Sequence, residues 1–195
     1  MVAIRIDVDG TVLATVNVDG MHLLHVSVHS SLDAETPASL EIHGGTYGEQ
    51  VSGHRIWVSD NPLAAGQSVK VSLIECDGPF DQGRTPADMF PEDDSSEEFD
   101  FTMTEARAAE LRARPRLKDA FSMEVETSSG ARCSVNSDPQ NDRFTFMVLW
   151  DFTRPLQARL SVRTYCAEDV ILRRGGTDHL QETMLPGGFA RCLIG

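Results

Sequence analysis

The side chains best suited to chemistry in this chain are its histidines and one dense run of acids. His22, His25, His29, His43 and His54 hold five of the six histidines, and imidazole is the commonest side-chain ligand for transition metals. Spacing argues against one shared ion. On an extended strand His22 and His25 face opposite sides. His25 and His29 share a face but stand about 13 Å apart at about 3.3 Å per residue, too far for a single tetrahedral site. The five read as solvent-face histidines, with no metal expected; His43 and His54 are the pair that a hairpin would bring together. His25-Val26-Ser27 sets a base next to a hydroxyl, but no orienting acid is identifiable, so no nucleophilic triad is expected. Cys76, Cys133, Cys166 and Cys192 lack zinc-type spacing and an activating neighbour, and read as reduced packing cysteines. There is no Gly-rich phosphate loop and no GxSxG, and no cofactor is expected.

The acid run is Glu92-Asp93-Asp94-Ser95-Ser96-Glu97-Glu98-Phe99-Asp100-Phe101. It lacks the alternating ligands and central glycine of an EF-hand loop. As a solvated linker, or as a mate for Arg107, Arg112, Arg114 and Arg116, it needs no aromatic residues. That linker or self-pairing reading is the plainer one; Phe99 and Phe101 support a second beside it, a strip that docks on a basic, partly apolar surface. On that reading Glu92, Asp93, Asp94, Glu97, Glu98, Phe99, Asp100 and Phe101 are the candidate partner-binding residues. The formal net charge of −13 points the same way. It disfavours nucleic acid, whose recognition needs a basic patch, and anionic membrane surfaces; it fits a basic protein partner or, more commonly, plain solubility. Residues 77–101 hold nine acids and one base, whereas residues 102–195 hold twelve acids and thirteen bases.

A third stretch, Ile4-Arg5-Ile6-Asp7-Val8-Asp9-Gly10-Thr11, ends a hydrophobic strand on Asp-x-Asp-Gly-Thr. It resembles the first motif of haloacid-dehalogenase-type phosphatases. That resemblance implies Asp7 as the phosphoryl-accepting nucleophile, Asp9 as general acid-base, and Mg²⁺ bridging carboxylates and phosphate. It spans about a dozen residues, after which the family's pattern requires a helix. Here a second alternating segment follows, then another Asp-Gly at 19–20, and Arg5 interrupts a strand that should be apolar on both faces. The competing reading makes Asp9-Gly10 and Asp19-Gly20 tight hairpin turns in a three-stranded meander, and it is the reading favoured here.

The elements that must position these residues are mostly strands. Ile4, Ile6 and Val8 alternate with Arg5 and Asp7, and Val12, Ala14, Val16 and Val18 with Thr11, Thr15 and Asn17, the period-two signature of half-buried strands. Leu24, Val26 and Val28 continue the pattern, with further strands expected at 38–43, 54–59 and 68–75. Residues 77–101 break the pattern with prolines, glycines and acids. Thr102 with Glu105 forms an expected capping box for a helix that Pro115 stops. Strands are then expected at 121–127, 131–135, 144–150, 160–164, 170–172 and 191–194. The 144–150 strand, apolar on both faces, belongs in the centre of a sheet. Trp57, Trp150, Phe144 and Phe146 sit at inward positions and read as core rather than a ligand-stacking set.

The expected fold is mainly β, two β-sandwich or barrel-like units joined by an acidic connector and one short helix. The division is residues 1–76 as an N-terminal antiparallel β domain, 77–101 as connector, and 102–195 as helix plus C-terminal β-unit. Whether the last part forms its own unit or completes the first sheet pair is left open. The opening MVAIRIDVDG lacks the basic and apolar regions of a signal peptide, so a cytoplasmic protein is expected. The expected function is a non-enzymatic protein-interaction module, an inhibitor or immunity-type partner of a basic bacterial protein. The alternatives are the Mg²⁺-dependent phosphatase using Asp7 and Asp9, and a ligand-binding β-sandwich module.

Overall fold

The alternation in the first eighteen residues builds a hairpin. β1 (Val2–Val8) and β2 (Thr11–Asn17) pair antiparallel, and Asp9 and Gly10 between them both adopt positive φ, 51° and 77°, the two-residue turn that matches strand twist. A bulge after Ile6 sets Asp7 opposite Val12 but Ile6 opposite Ala14. Ala14, Val16 and Val18 consequently face the core as expected, whereas Val12 is exposed.

Asp19-Gly20 does something different. Only Gly20 takes positive φ there, and the turn, closed by Met21 N–H donating to the Val18 carbonyl at 3.1 Å, does not fold the chain back on β2. It carries the chain into the other sheet, where β3 (Leu23–Ser31) pairs with β4 (Ala38–Tyr47) and β9 (Arg143–Asp151). The three-stranded meander is corrected to one hairpin plus a crossover.

The computed structural model describes residues 1–48, 52–91 and 102–195. The remaining strands are β5 (Ser52–Leu63), β6 (Ser68–Glu75), β7 (Ser122–Thr127), β8 (Arg132–Asn136), β10 (Ala158–Tyr165), β11 (Thr177–Met184) and β12 (Phe189–Ile194). They form two six-stranded antiparallel sheets, sheet I in the order β2-β1-β6-β12-β7-β8 and sheet II in the order β11-β10-β9-β3-β4-β5. The expected mainly β chain with few helices is what the structure has. Strands from both sides of the connector enter each sheet: β6 pairs with β12 and β3 with β9, so residues 102–195 complete the sheets that residues 1–76 begin. Inward side chains of both sheets share one core, with Ile4, Ile6, Val69 and Val71 from sheet I and Val26, Val28, Phe144 and Phe146 from sheet II. Each such buried side chain contributes about 1.5–3 kcal/mol of transfer free energy. β9 is central, as its two-faced apolarity required.

Among the described residues three short helices interrupt the strands. α1 (Pro86–Met89) is capped by Thr85 and Asp88. α2 (Glu105–Ala113) begins at Thr104, whose hydroxyl accepts from the Arg107 N–H, so the cap lies two residues beyond the expected Thr102. Residues 170–172, expected as a strand, lie at the end of α3 (Ala167–Ile171). The Asp169 carboxylate accepts from the Cys166 N–H at 3.0 Å and so turns the chain. Among the described residues no helix is long and apolar enough to cross a membrane.

Candidate functional site: the connector anchor and a histidine face

Glu92, Asp93, Asp94, Glu97, Glu98, Phe99, Asp100 and Phe101 lie outside the described residues. The start of the connector is described, and it is fastened to one open side of the sandwich. Asp81 accepts from the Thr15 N–H at 2.7 Å and donates its own N–H to the Thr15 carbonyl at 2.8 Å, on edge strand β2 of sheet I. Arg84 bridges Ile56 and the Trp57 indole donates to the Asp81 carbonyl at 2.9 Å, both on edge strand β5 of sheet II. Gly83 fits here because a Cβ would come within 2.8 Å of the Trp57 ring and 2.9 Å of Arg55. This strap leaves Asp77, Asp81 and Asp88 exposed.

Two of the four arginines that might have neutralised the connector, Arg112 and Arg114, are committed elsewhere. Arg112 lies 2.6 Å from Glu168 and 3.4 Å from Glu105; Arg114 lies 3.7 Å from Asp33 and 3.6 Å from Glu110. The same holds further along the chain, where Arg143 pairs with Asp33 at 2.6 Å, Arg159 with Asp151 at 3.0 Å and Arg191 with Glu126 at 2.7 Å.

Asp7 and Asp9 hold the first hairpin together. The Asp7 Oδ1 accepts from Arg5 Nε at 3.0 Å and Nη2 at 2.7 Å, and Asp7 is buried. The Asp9 carboxylate caps the Ser68 N–H at 2.8 Å and accepts from Gln67 Nε2 at 2.9 Å. The helix that the phosphatase resemblance requires after this loop is instead strand β2, in an antiparallel sheet. Neither carboxylate is arranged as that resemblance implies.

The histidines do come together, through sheet register. β3 and β4 place His25 opposite His43 and Ser27 opposite Glu41. His29 Nε2 lies 2.7 Å from Ser27 Oγ and His29 Nδ1 3.2 Å from Thr145 Oγ1 on β9, with the Tyr165 hydroxyl of β10 3.3 Å beyond. The Glu41 carboxylate sits 3.8 Å from His29 Nε2 and 3.7 Å from His43 Nε2. His43 and His54 meet across β4 and β5, their rings stacked at 5.7 Å, as the hairpin argument expected. Burial, then the neighbouring His29 and His43, pulls His25 below the ordinary histidine range. Burial does the same to His29 against the pull of Glu41, and to His54 with help from His43. The His43 hydrogen bond holds the Glu41 carboxyl below its usual range.

This is not a hydrolytic triad. Ser27 is fully buried, Glu41 approaches the same imidazole nitrogen that Ser27 uses, and a hydroxyl rather than a carboxylate orients the other nitrogen. Among the described residues no three His, Cys, Asp or Glu side chains are placed to hold one metal ion. The alternation of His25, Ser27 and His29 on one face was readable in the sequence; the register that brings Glu41 between them was not.

On the opposite side, the outer face of sheet I carries two adjoining shallow depressions of about 450 and 430 Å³ that share Ser68 and Arg191. Within this face Arg5 pairs with Asp7 and Arg191 with Glu126, and Lys70 lies 4.4 Å above the Phe189 ring. Phe144, Phe146 and Trp150 are core side chains, and Trp57 packs against that core, so these four form no exposed stacking platform. All four cysteines are free; burial, with Cys133 nearby, pushes the Cys192 thiol up to about 12, far from a reactive thiolate.

No family model, curated protein or solved structure matches this chain.

Proposed function

We propose that this chain is a non-enzymatic protein-interaction module, of inhibitor or immunity type, whose acidic connector engages a basic protein partner. The observation that carries this reading is the commitment of two nearby arginines, Arg112 and Arg114. Arg112 and Arg114 direct their guanidinium groups to Glu168, Glu105, Asp33 and Glu110, all outside the connector. The nine acids and one base of residues 77–101 thus carry charge that these two arginines are poorly placed to cancel. Charge of that kind speeds encounter with a cationic surface and selects against others. The strap at Asp81 and Arg84 supports the reading further, since a segment fixed at one end loses less freedom on binding than a free tail.

The test is capture of partners by the native chain and by an E97K/E98K/D100K chain, at low and high salt. The proposal expects a stoichiometric basic partner that native chain retains at low salt, releases at high salt, and that the reversed chain fails to retain. Equal retention by both chains would overturn it.

A further inference from the structure

On the face of sheet II that adjoins the connector anchor, the Glu41 carboxylate lies against His29 and His43, with His25 opposite His43 and His54 stacked on it. β3 contributes His25 and His29, β4 contributes Glu41 and His43, and β5 contributes His54. The charged groups around them are few. Asp60 of β5 acts on His29 at longer range. Arg143 of β9 pairs with Asp33, and Arg163 of β10, opposite Thr145, pairs with Asp178. The Tyr47 hydroxyl bonds His54 Nδ1 at 3.0 Å, and Tyr165 reaches only Thr145. His22 lies beyond Tyr47, its Nδ1 3.1 Å from the Tyr47 N–H. Among the described residues Glu41 is the one carboxylate within 4 Å of the cluster, at 3.7 and 3.8 Å.

The strand at the margin of this cluster, β5, lies at the edge of its sheet. Its register with β4 shifts twice, between Leu40 and Ile42 and between Ile42 and His43, and it holds the strap through Ile56 and Trp57. Edge elements open locally before the centre of a sheet does.

We propose that this cluster is an acid-sensitive latch: proton uptake by His25, His29 and His54 beside His43 and Glu41 frees β5 from β4 and releases the connector anchor at Asp81 and Arg84. With His25, His29 and His54 protonated, three positive charges share one negative carboxylate on neighbouring strands. Because burial holds His25, His29 and His54 below the ordinary range, the closed edge resists protons that an opened, hydrated edge takes up at about pH 6.5. As pH falls through about 6.5 the open form binds more protons and is favoured. The latch concerns the fold, and stands whether or not the connector binds a basic partner.

Trp57 reports on it directly. The chain has two tryptophans, so Trp150→Phe leaves Trp57 alone, and its emission is followed from pH 8 to pH 5 with far-ultraviolet circular dichroism as a check on the sheets. The latch predicts a red shift with a midpoint below about 6.5 while the sheet signal persists. His43→Gln with His54→Gln should lower that midpoint by about half a pH unit or more, and Glu41→Gln should raise it. The same comparison on the unaltered chain is hydrogen exchange by mass spectrometry, corrected for intrinsic rates. It should show β5 and residues 81–84 losing protection at pH 5.5 while β9 keeps it. A Trp57 signal and a β5 protection both unchanged across this range, or a midpoint that neither replacement moves, would overturn the proposal.

Discussion

The sandwich and the connector handle charge in opposite ways. In the sandwich, arginines and carboxylates are matched at short range: Arg143 with Asp33, Arg159 with Asp151, Arg174 with Asp169 and Arg191 with Glu126, at 2.6 to 3.1 Å. In residues 77–101 nine acids face a single base, and the described ones, Asp77, Asp81 and Asp88, are exposed. The matched pairs are structural, and their removal should register as stability. The surplus of acids in the connector costs the fold self-repulsion; Asp81 and Asp88 serve the strap and the α1 cap, whereas reversal of the acids at 97, 98 and 100 should register as binding.

That contrast can be broken at either end. The largest effect expected is on the connector: E97K/E98K/D100K should weaken partner binding by about 100-fold or more, while urea unfolding stays within about 0.5 kcal/mol of native. A large stability change with intact binding would reverse the assignment. Next comes Arg143→Ala. Arg143 and Asp33 side chains are 15% and 11% exposed, so breaking the pair leaves a nearly buried carboxylate. The loss should be about 2 kcal/mol, below the ~3–5 of a fully buried pair, because Arg114 remains at 3.7 Å and Ser31 still donates to Asp33. Partner affinity should not move.

The same pair gives a pH signature. Burial alone would raise the Asp33 carboxyl, but hydrogen bonds from Ser31 and Arg143 bring it below its ordinary value of 3.8. Its contribution is therefore present above about pH 4 and disappears as pH falls through the depressed folded value. Stability profiles of native and Arg143→Ala chains should converge in that acid range; parallel profiles would show that the pair does not titrate as described. Arg191→Ala, at a half-exposed ion pair, should cost under about 1 kcal/mol. The smallest expected signal is enzymatic: with Mg²⁺ and a generic phosphomonoester, native and Asp7→Asn chains should both stay at background, and hydrolysis abolished by Asp7→Asn would reopen the phosphatase reading.

The strand pattern was legible because the core is one face of each sheet: Ile4, Ile6, Val26 and Val28 announce themselves by alternation. Asp9-Gly10 was legible as a hairpin turn, but the same dipeptide at 19–20 was not, because Asp-Gly permits several turn geometries and only φ at Asp19 separates a hairpin from a crossover. β11 gave no signal, since an exposed edge strand reading Thr-Asp-His-Leu-Gln-Glu-Thr-Met has little apolar face to alternate. The histidine face was half legible. Parity put His25 and His29 together, while Glu41 and His43 joined them through a register set by strands far apart in sequence. The connector's charge is a property of composition and was fully readable; which arginines stay outside it depended on tertiary pairing.

The most direct measurement of the central claim is the affinity of the captured partner for the native chain as a function of salt, repeated with E97K/E98K/D100K. The account predicts steep weakening with salt for the native chain, and a weaker, flatter dependence for the reversed one. A salt-independent affinity, equal in both chains, would contradict it.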